Sequence, residues 1–106
     1  CNTSAAIGVP EMWNTRIKKV QQEGVASIIE DVLGRWFTAD FLAHAPAQVD
    51  RVRTMLSNTS AQGYVANCAA VRDMDQRAVL SRIVAPTLVI AGKHDKSTPP
   101  ELCAVE

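Results

Sequence analysis

The sequence predicts part of an α/β protein, in which helices make up most of the chain and one strand belongs to a parallel sheet. Apolar residues recur at helical spacing through much of the 106-residue chain. Near the carboxyl end, the apolar run from Thr87 to Ala91 lies between Pro86 and Gly92, a pattern typical of a strand buried on both faces. Such strands belong to parallel sheets that helices cover. A lone strand cannot satisfy its own backbone groups, so we expect the chain to be a piece of a larger protein.

Proline and glycine mark the expected helices in the first half of the chain. Pro10 suits the first turn of a helix that ends at Gly24. A second helix is expected to end near Gly34, and Thr38 or Ala39 could open a brief helical turn. The apolar residues of the second helix are Val25, Ile28, Ile29, Val32 and Leu33.

Three further helices are expected before the strand. Pro46 begins the first of them, and Ser60 is a good N-cap for a helix over residues 61–71. Asp75 is expected to cap a last short helix. The side chains predicted to be buried are Val49, Val52, Met55 and Leu56 in the first, and Tyr64, Cys68 and Val71 form the apolar stripe of the second. The third carries Val79, Leu80 and Ile83.

Charge and composition exclude several classes of function. The chain has 11 basic and 11 acidic residues, and this balance argues against a surface for nucleic acid or anionic membranes. No apolar stretch approaches the roughly 20 residues of a membrane span. Cys1, Cys68 and Cys103 are too far apart for a disulfide framework or a metal site, so we expect reduced thiols in the cytoplasm. Asp73 and Asp75 lack further ligands, so no metal site is expected there. No cofactor is expected.

Asp95 is the main candidate for a functional residue. It follows Gly92 by three positions, beyond the carboxyl end of the predicted strand, where functional residues of such sheets lie. The same residue could instead cap a turn. We do not expect His94 to act with Asp95, because adjacent residues of an extended segment point to opposite sides. We expect His94 and His44 to lie at the surface.

The segment around Asp95 resembles the acid-bearing strand and loop of α/β-hydrolases. Across the chain, the order of motifs is similar to that of the 3-oxoadipate enol-lactonases, a branch of this superfamily. The motifs that carry the resemblance are Pro10-Glu11-x-Trp13-x-x-Arg16, Arg35-Trp36-Phe37-Thr38, Thr59-Ser60-x-x-Gly63-Tyr64-x-x-Asn67-Cys68-Ala69-Ala70-x-Arg72-Asp73 and Pro86-x-Leu88-Val89-Ile90-x-Gly92-x-x-Asp95-x-x-x-Pro99.

The resemblance implies an organisation and a role for each part of the chain. Residues 1–9 leave a core strand of the α/β-hydrolase fold, residues 10–83 form a helical cap, and residues 84–106 return to the core. Asp95 is the acid of a Ser/His/Asp triad. The Gly-x-Ser-x-Gly nucleophile motif is absent and is expected upstream, and the catalytic His is expected downstream. The chain by itself is therefore expected to be inactive.

The resemblance also implies a substrate, an enol-lactone with a carboxylate, from bacterial aromatic degradation. An anion in a shielded pocket requires Arg or a helix N-terminus. Arg16 with Trp13, and Arg35 with Trp36, could each supply a cation and an apolar wall. Alternatively, both Trp residues are part of the cap core and both Arg side chains extend to solvent.

Two other functions are compatible with the sequence. Another capped hydrolase, an esterase or a dehalogenase-like enzyme, would keep the fold and change the substrate. A non-enzymatic helical binding module would assemble through its strand. The oligomeric state stays open. The expected partners are a small enol-lactone and the rest of the hydrolase core.

Overall fold

The computed structural model describes residues 3–103, so Cys1, Asn2 and residues 104–106 lie outside the part of the chain discussed below. Within residues 3–103 there are six α-helices, two 3-10 helices and no strand. The elements are α1 (Pro10–Glu23), a first 3-10 helix (Val25–Ile28), α2 (Ile29–Trp36), α3 (Ala39–His44), α4 (Pro46–Ser57), α5 (Ala61–Asp73), a second 3-10 helix (Arg77–Arg82) and α6 (Pro100–Cys103). No helix in these residues is long and apolar enough to cross a membrane.

The predicted helix boundaries are largely confirmed. Pro10 occupies the first turn of α1, and Gly24 ends this helix with φ of 80°, a backbone conformation that favours glycine. Thr38 and Ser60 cap α3 and α5, since each hydroxyl accepts a hydrogen bond from the backbone N–H three residues later, at 3.2 and 3.3 Å. The second predicted helix runs two residues past Gly34, to Trp36.

One apolar core lies among the first three helical elements and α4. Leu33 and Val20 are each only 1% exposed. All five apolar residues predicted for the second helix are buried in this core. Its members are Val20, Val25, Ile28, Ile29, Val32, Leu33, Val49 and Leu56.

The burial predicted for Met55 is wrong, because its side chain is 69% exposed. Val49 and Leu56 are seven residues apart and therefore share one face of α4. At 100° per residue, Met55 points about 120° away from Val49, toward solvent.

Two polar contacts supplement the packing between helices. α1 packs against α5, where Arg72 donates a hydrogen bond to Asn14 at 2.8 Å. α2 packs against α4, and Arg53 of α4 donates two hydrogen bonds to Glu30 of α2, at 2.9 and 3.2 Å. These contacts join elements that are distant in sequence. They hold residues 10–73, which we call the helical region, together.

The predicted strand over residues 86–91 is not formed within the described residues. Residues 83–90, which we call the extended segment, are all exposed. Leu88 is 80% exposed and Ile90 is 53% exposed. A strand exists only when a neighbour pairs with its backbone, and residues 3–103 contain no other strand. The apolar sequence is present, but its partner is not among these residues.

The short helix predicted before the strand is a 3-10 helix that ends at Arg82, so Ile83 lies outside it. Its N-cap is Gln76, and not Asp75 as predicted. Asp75 still binds the start of this helix, because its carboxylate accepts a hydrogen bond from the backbone N–H of Arg77 at 3.1 Å. The 3-10 geometry is common for short connecting segments.

Candidate active site

Asp95 lies in a loop, residues 92–98, that we call the acid loop. The loop begins with a turn in which the backbone N–H of Asp95 donates to the carbonyl of Gly92 at 3.1 Å. One carboxylate oxygen of Asp95 accepts hydrogen bonds from the backbone N–H groups of Ser97 and Thr98, at 2.8 and 2.9 Å. The other oxygen accepts from the Thr98 hydroxyl at 3.1 Å. These bonds fix the orientation of the carboxylate, as Asp does in tight turns.

Thr98 and α6 anchor the end of the acid loop. Thr98 is only 4% exposed, although it is polar. The thiol of Cys103, also buried, donates to the carbonyls of Thr98 at 3.6 Å and Thr3 at 3.1 Å. Cys103 thereby connects the loop to Thr3, which lies 100 positions before Cys103 in the sequence. Asp95 consequently projects from a supported loop.

A cavity of about 560 Å³ lies between the acid loop and the end of α2. Charged and aromatic side chains face each other across it. Arg35 and Trp36 line it from α2, and Asp95 lines it from the acid loop. The other lining residues are Ile7, Phe37, Thr38, Gly92, Lys93, His94, Ser97 and Thr98.

The exposure of Trp36 argues against the alternative in which this side chain is part of the cap core. Trp36 is 57% exposed, so it is not a core residue of the helical region. The chain leaves the helix immediately after it, because Phe37 has extended backbone angles. Phe37 stacks on Phe41 of α3, with ring centroids 5.0 Å apart. This stacking holds the segment that presents Trp36 to the cavity.

Arg16 and Trp13 do not line the cavity that contains Asp95. The Trp13 indole N–H donates to the carbonyl of Ile7 at 2.6 Å, and the Arg16 guanidinium lies 5.2 Å from the centroid of the Trp13 ring. Arg16 lines a second cavity, of about 460 Å³, together with Arg35. Trp13 lines neither cavity, but it holds Ile7, which lines the first. Of the four predicted substrate-binding residues, the structure brings Arg35 and Trp36 together with Asp95.

Two side chains of α5 have shifted pKa values. Burial raises the pKa of the Tyr64 phenol, against the opposing effect of the Arg16 guanidinium. Burial also raises the pKa of the Cys68 thiol. Since the thiolate is the nucleophilic form, Cys68 is poorly suited to catalysis and behaves as a core residue.

The two acidic residues before the second 3-10 helix form ion pairs. Asp73 accepts hydrogen bonds from Arg72 at 2.7 and 2.9 Å. Asp75 accepts from the Arg77 guanidinium at 2.9 Å, and this bond lowers the pKa of Asp75 to about 2. Among residues 3–103, no three His, Cys, Asp or Glu side chains lie close enough to hold a metal ion.

The chain is similar in sequence to two curated bacterial enzymes, while no family model matches it. It is 38% identical to 3-oxoadipate enol-lactonase 2 of Acinetobacter baylyi and 34% identical to 3-oxoadipate enol-lactonase 1 of the same organism. Each match extends over 97 residues, or 92% of the chain. The chain spans 36% of the length of these relatives.

Two solved structures match the fold closely. A hydrolase from Pseudomonas aeruginosa PA01 superposes with a TM-score of 0.90 at 42% identity, over 98% of this chain and 40% of that one. The enol-lactonase from Burkholderia xenovorans LB400 superposes with a TM-score of 0.95 at 38% identity, over 99% of this chain and 40% of that one. The chain corresponds to a segment of an α/β-hydrolase. This finding confirms the predicted fold class.

The site of this hydrolase segment also contains features that the sequence did not predict. Ile7 and Lys93 line the cavity of Asp95, and neither was predicted as a site residue. The ammonium of Lys96 donates to the carbonyl of Gly34 at 3.3 Å, across 62 positions of sequence. Helical periodicity and local motifs carry no information on such distant contacts.

Proposed function

We propose that this segment forms the cap and the acid-bearing loop of an enzyme that hydrolyses 3-oxoadipate enol-lactone to 3-oxoadipate. One observation carries the proposal: the hydrogen-bonded carboxylate of Asp95 lines the same cavity as Arg35 and Trp36. The names of the relatives from Acinetobacter baylyi and of the structure from Burkholderia xenovorans support the substrate.

In the proposed mechanism, Asp95 is the acid of a Ser/His/Asp triad. The Ser and the His come from parts of the hydrolase that lie outside these 106 residues. The Ser attacks the lactone carbonyl, and its proton passes to the His. Ring opening then expels an enolate, which takes up the proton held by the His and tautomerises to the ketone of 3-oxoadipate, so that the His is neutral again. A water molecule activated by the His releases the acyl group from the Ser. Asp95 holds the His in the correct tautomer and stabilises its charged form.

The two sides of the cavity have different roles in this mechanism. The Arg35 guanidinium binds the carboxylate of the substrate, for which its planar fork is well suited. Trp36 provides an apolar wall against the ring. Arg16 adds positive potential from the neighbouring cavity, where it lies with Arg35. Trp13 acts indirectly, because it holds Ile7 at the cavity wall.

The residue ranges predicted from the sequence fit this division of labour. In the proposal, residues 10–83 are the cap and residues 84–106 return to the core, with residues 86–91 as a core strand. The exposed apolar side chains of the extended segment support a partner sheet that the remainder of the hydrolase supplies. The enzyme works in the cytoplasm, within the bacterial degradation of aromatic compounds.

The proposal is tested with the complete hydrolase that carries this segment. Purified enzyme is assayed on 3-oxoadipate enol-lactone, on aryl esters and on haloalkanoates, with the 106-residue chain as a control. We expect the highest kcat/KM on the enol-lactone and no turnover by the chain alone. A higher kcat/KM on the aryl esters would identify an esterase, and one on the haloalkanoates a dehalogenase. Either result would contradict the proposed substrate.

A further inference from the structure

A hydrogen bond between the acid loop and α2 connects the two walls of the cavity that contains Asp95. The donor is the Lys96 ammonium, and the acceptor is the Gly34 carbonyl, 3.3 Å away. Lys96 directly follows the proposed catalytic acid. Gly34 directly precedes Arg35 and Trp36, which line the opposite wall. Each partner of this bond is therefore a direct sequence neighbour of a proposed functional residue: Lys96 of Asp95, and Gly34 of Arg35.

The acceptor is a carbonyl that the helix itself leaves without a partner. The helical partner of the Gly34 carbonyl would be the N–H of residue 38, but α2 ends at Trp36. The carboxyl end of a helix also carries partial negative charge, which favours a cation. The first turn of α2 shows the complementary arrangement, with Glu30 and Asp31 at its positive end. The position is thus electrostatically suited to Lys96.

The backbone around Lys96 is held in place by its neighbours. Asp95 binds the backbone N–H groups of Ser97 and Thr98, so the residues on both sides of Lys96 belong to one hydrogen-bonded turn. Thr98 is itself buried. A side chain that extends from such a turn can hold the end of α2 at a defined distance from Asp95. Arg35 and Trp36 are the last two residues of that helix, so the position of its end also sets the position of their side chains.

We propose that Lys96 is a positioning residue that ties α2 to the acid loop and thereby holds Arg35 and Trp36 over the cavity of Asp95. Lys96 does not touch the reacting atoms. It sets the width of the cavity, and so it acts on substrate binding more than on the chemical step. This inference rests on the proposed function for the roles of Arg35 and Asp95, but the tie itself is a property of the fold.

The test uses three variants of the complete hydrolase: Lys96→Met, Lys96→Arg and, as a control, Lys18→Met. Lys18 lies exposed on α1, so its substitution removes the same charge elsewhere. Methionine keeps the aliphatic length of Lys96 and removes the donor. The loss of one exposed hydrogen bond from a charged donor predicts a KM increase of about fivefold in Lys96→Met, with kcat changed by less than about twofold. Lys96→Arg restores the KM, and Lys18→Met leaves it unchanged.

A second measurement follows the tie without using activity. Amide hydrogen exchange is compared for the backbone of residues 33–38 in the same proteins. We expect faster exchange in Lys96→Met than in the unsubstituted protein, and no change in Lys18→Met, because the end of α2 opens more easily without the tie. Unchanged exchange together with unchanged KM in Lys96→Met would overturn the inference. If the unsubstituted hydrolase does not cleave the enol-lactone, the proposed function fails, while the exchange measurement still decides whether the tie exists.

Discussion

The helical region and the extended segment contain similar apolar side chains, but these are buried in the first and exposed in the second. In the helical region Leu33 is 1% exposed, whereas in the extended segment Leu88 is 80% exposed. A helix satisfies its backbone hydrogen bonds internally and needs only a neighbouring apolar face. A strand requires a second strand for its backbone as well. The difference shows that residues 10–73 contain their own core, whereas the apolar side chains of the extended segment find no core among the described residues.

The largest expected effect is on catalysis, and it comes from the acid loop, which belongs to neither of these two regions. In the complete hydrolase, Asp95→Asn should lower kcat on the order of 10³- to 10⁴-fold, because an amide cannot stabilise the charged His of the triad. The melting temperature should change little, since Asn can still accept the backbone hydrogen bonds of the turn. Steady-state kinetics and thermal melting of the same preparation check both points. Near-normal turnover would reject the role of Asp95.

The comparison between the two regions is tested directly by a matched pair of leucine substitutions. In the 106-residue chain, Leu33→Ala should lower the free energy of unfolding by about 3 kcal/mol, through lost burial and a cavity. Leu88→Ala should change it by less than about 0.5 kcal/mol, because this side chain is already in solvent. Urea unfolding followed by far-UV circular dichroism measures both.

We expect the two leucine substitutions to have a different effect on stability in the complete hydrolase. If a sheet covers the extended segment there, Leu88→Ala should cost about as much as Leu33→Ala. Equal tolerance of Leu88→Ala in the chain and in the complete hydrolase would mean that no sheet packs on this segment. That outcome would support the alternative of a helical module.

The end of α2 is expected to have a smaller effect on catalysis. Arg35→Met should raise KM for the enol-lactone about tenfold, because it removes a charge-assisted pair with the substrate carboxylate. Arg51→Met serves as a control, since Arg51 lies on the exposed side of α4, away from the cavity. Equal KM values for the two variants would argue that another cation binds the carboxylate.

The smallest expected effect is a local one within the helical region. Ser60→Ala should lower the free energy of unfolding by about 1 kcal/mol, because it removes the side-chain cap of α5. The control, Ser57→Ala, removes a hydroxyl that bonds to the carbonyl of Arg53 within α4 and caps no helix. It should change stability by less than about 0.5 kcal/mol. A similar loss in both variants would show that the cap contributes nothing specific.

Prediction from the sequence succeeded where structure depends on nearby residues. The sequence predicted the helix starts at Pro10 and Pro46, the cap at Ser60 and a turn that opens at Thr38 or Ala39, since each depends on a few neighbouring residues. The burial of Met55 was predicted wrongly, because apolar character does not fix the direction of a side chain on its helix.

The candidate site was predicted only in part. The segment around Asp95 was recognised from a local pattern, and Arg35 and Trp36 were proposed from their chemistry. Their shared cavity could not be foreseen, because the walls lie more than 50 positions apart in the sequence. The role of Trp13 in holding Ile7, and not as a cavity wall, likewise appeared only in the folded chain.

The sequence by itself determined the helices of residues 10–73, the apolar core among them and the loop that carries Asp95. These features follow from periodicity, capping residues and turn residues that act within a few positions. The tertiary structure alone decided which charged and aromatic side chains meet Asp95, and that residues 86–91 remain unpaired in the described part of the chain. The physical reason is the same in both cases. Cavities and sheets arise from contacts between distant segments, and a strand sequence specifies its form only when another strand is present to pair with it.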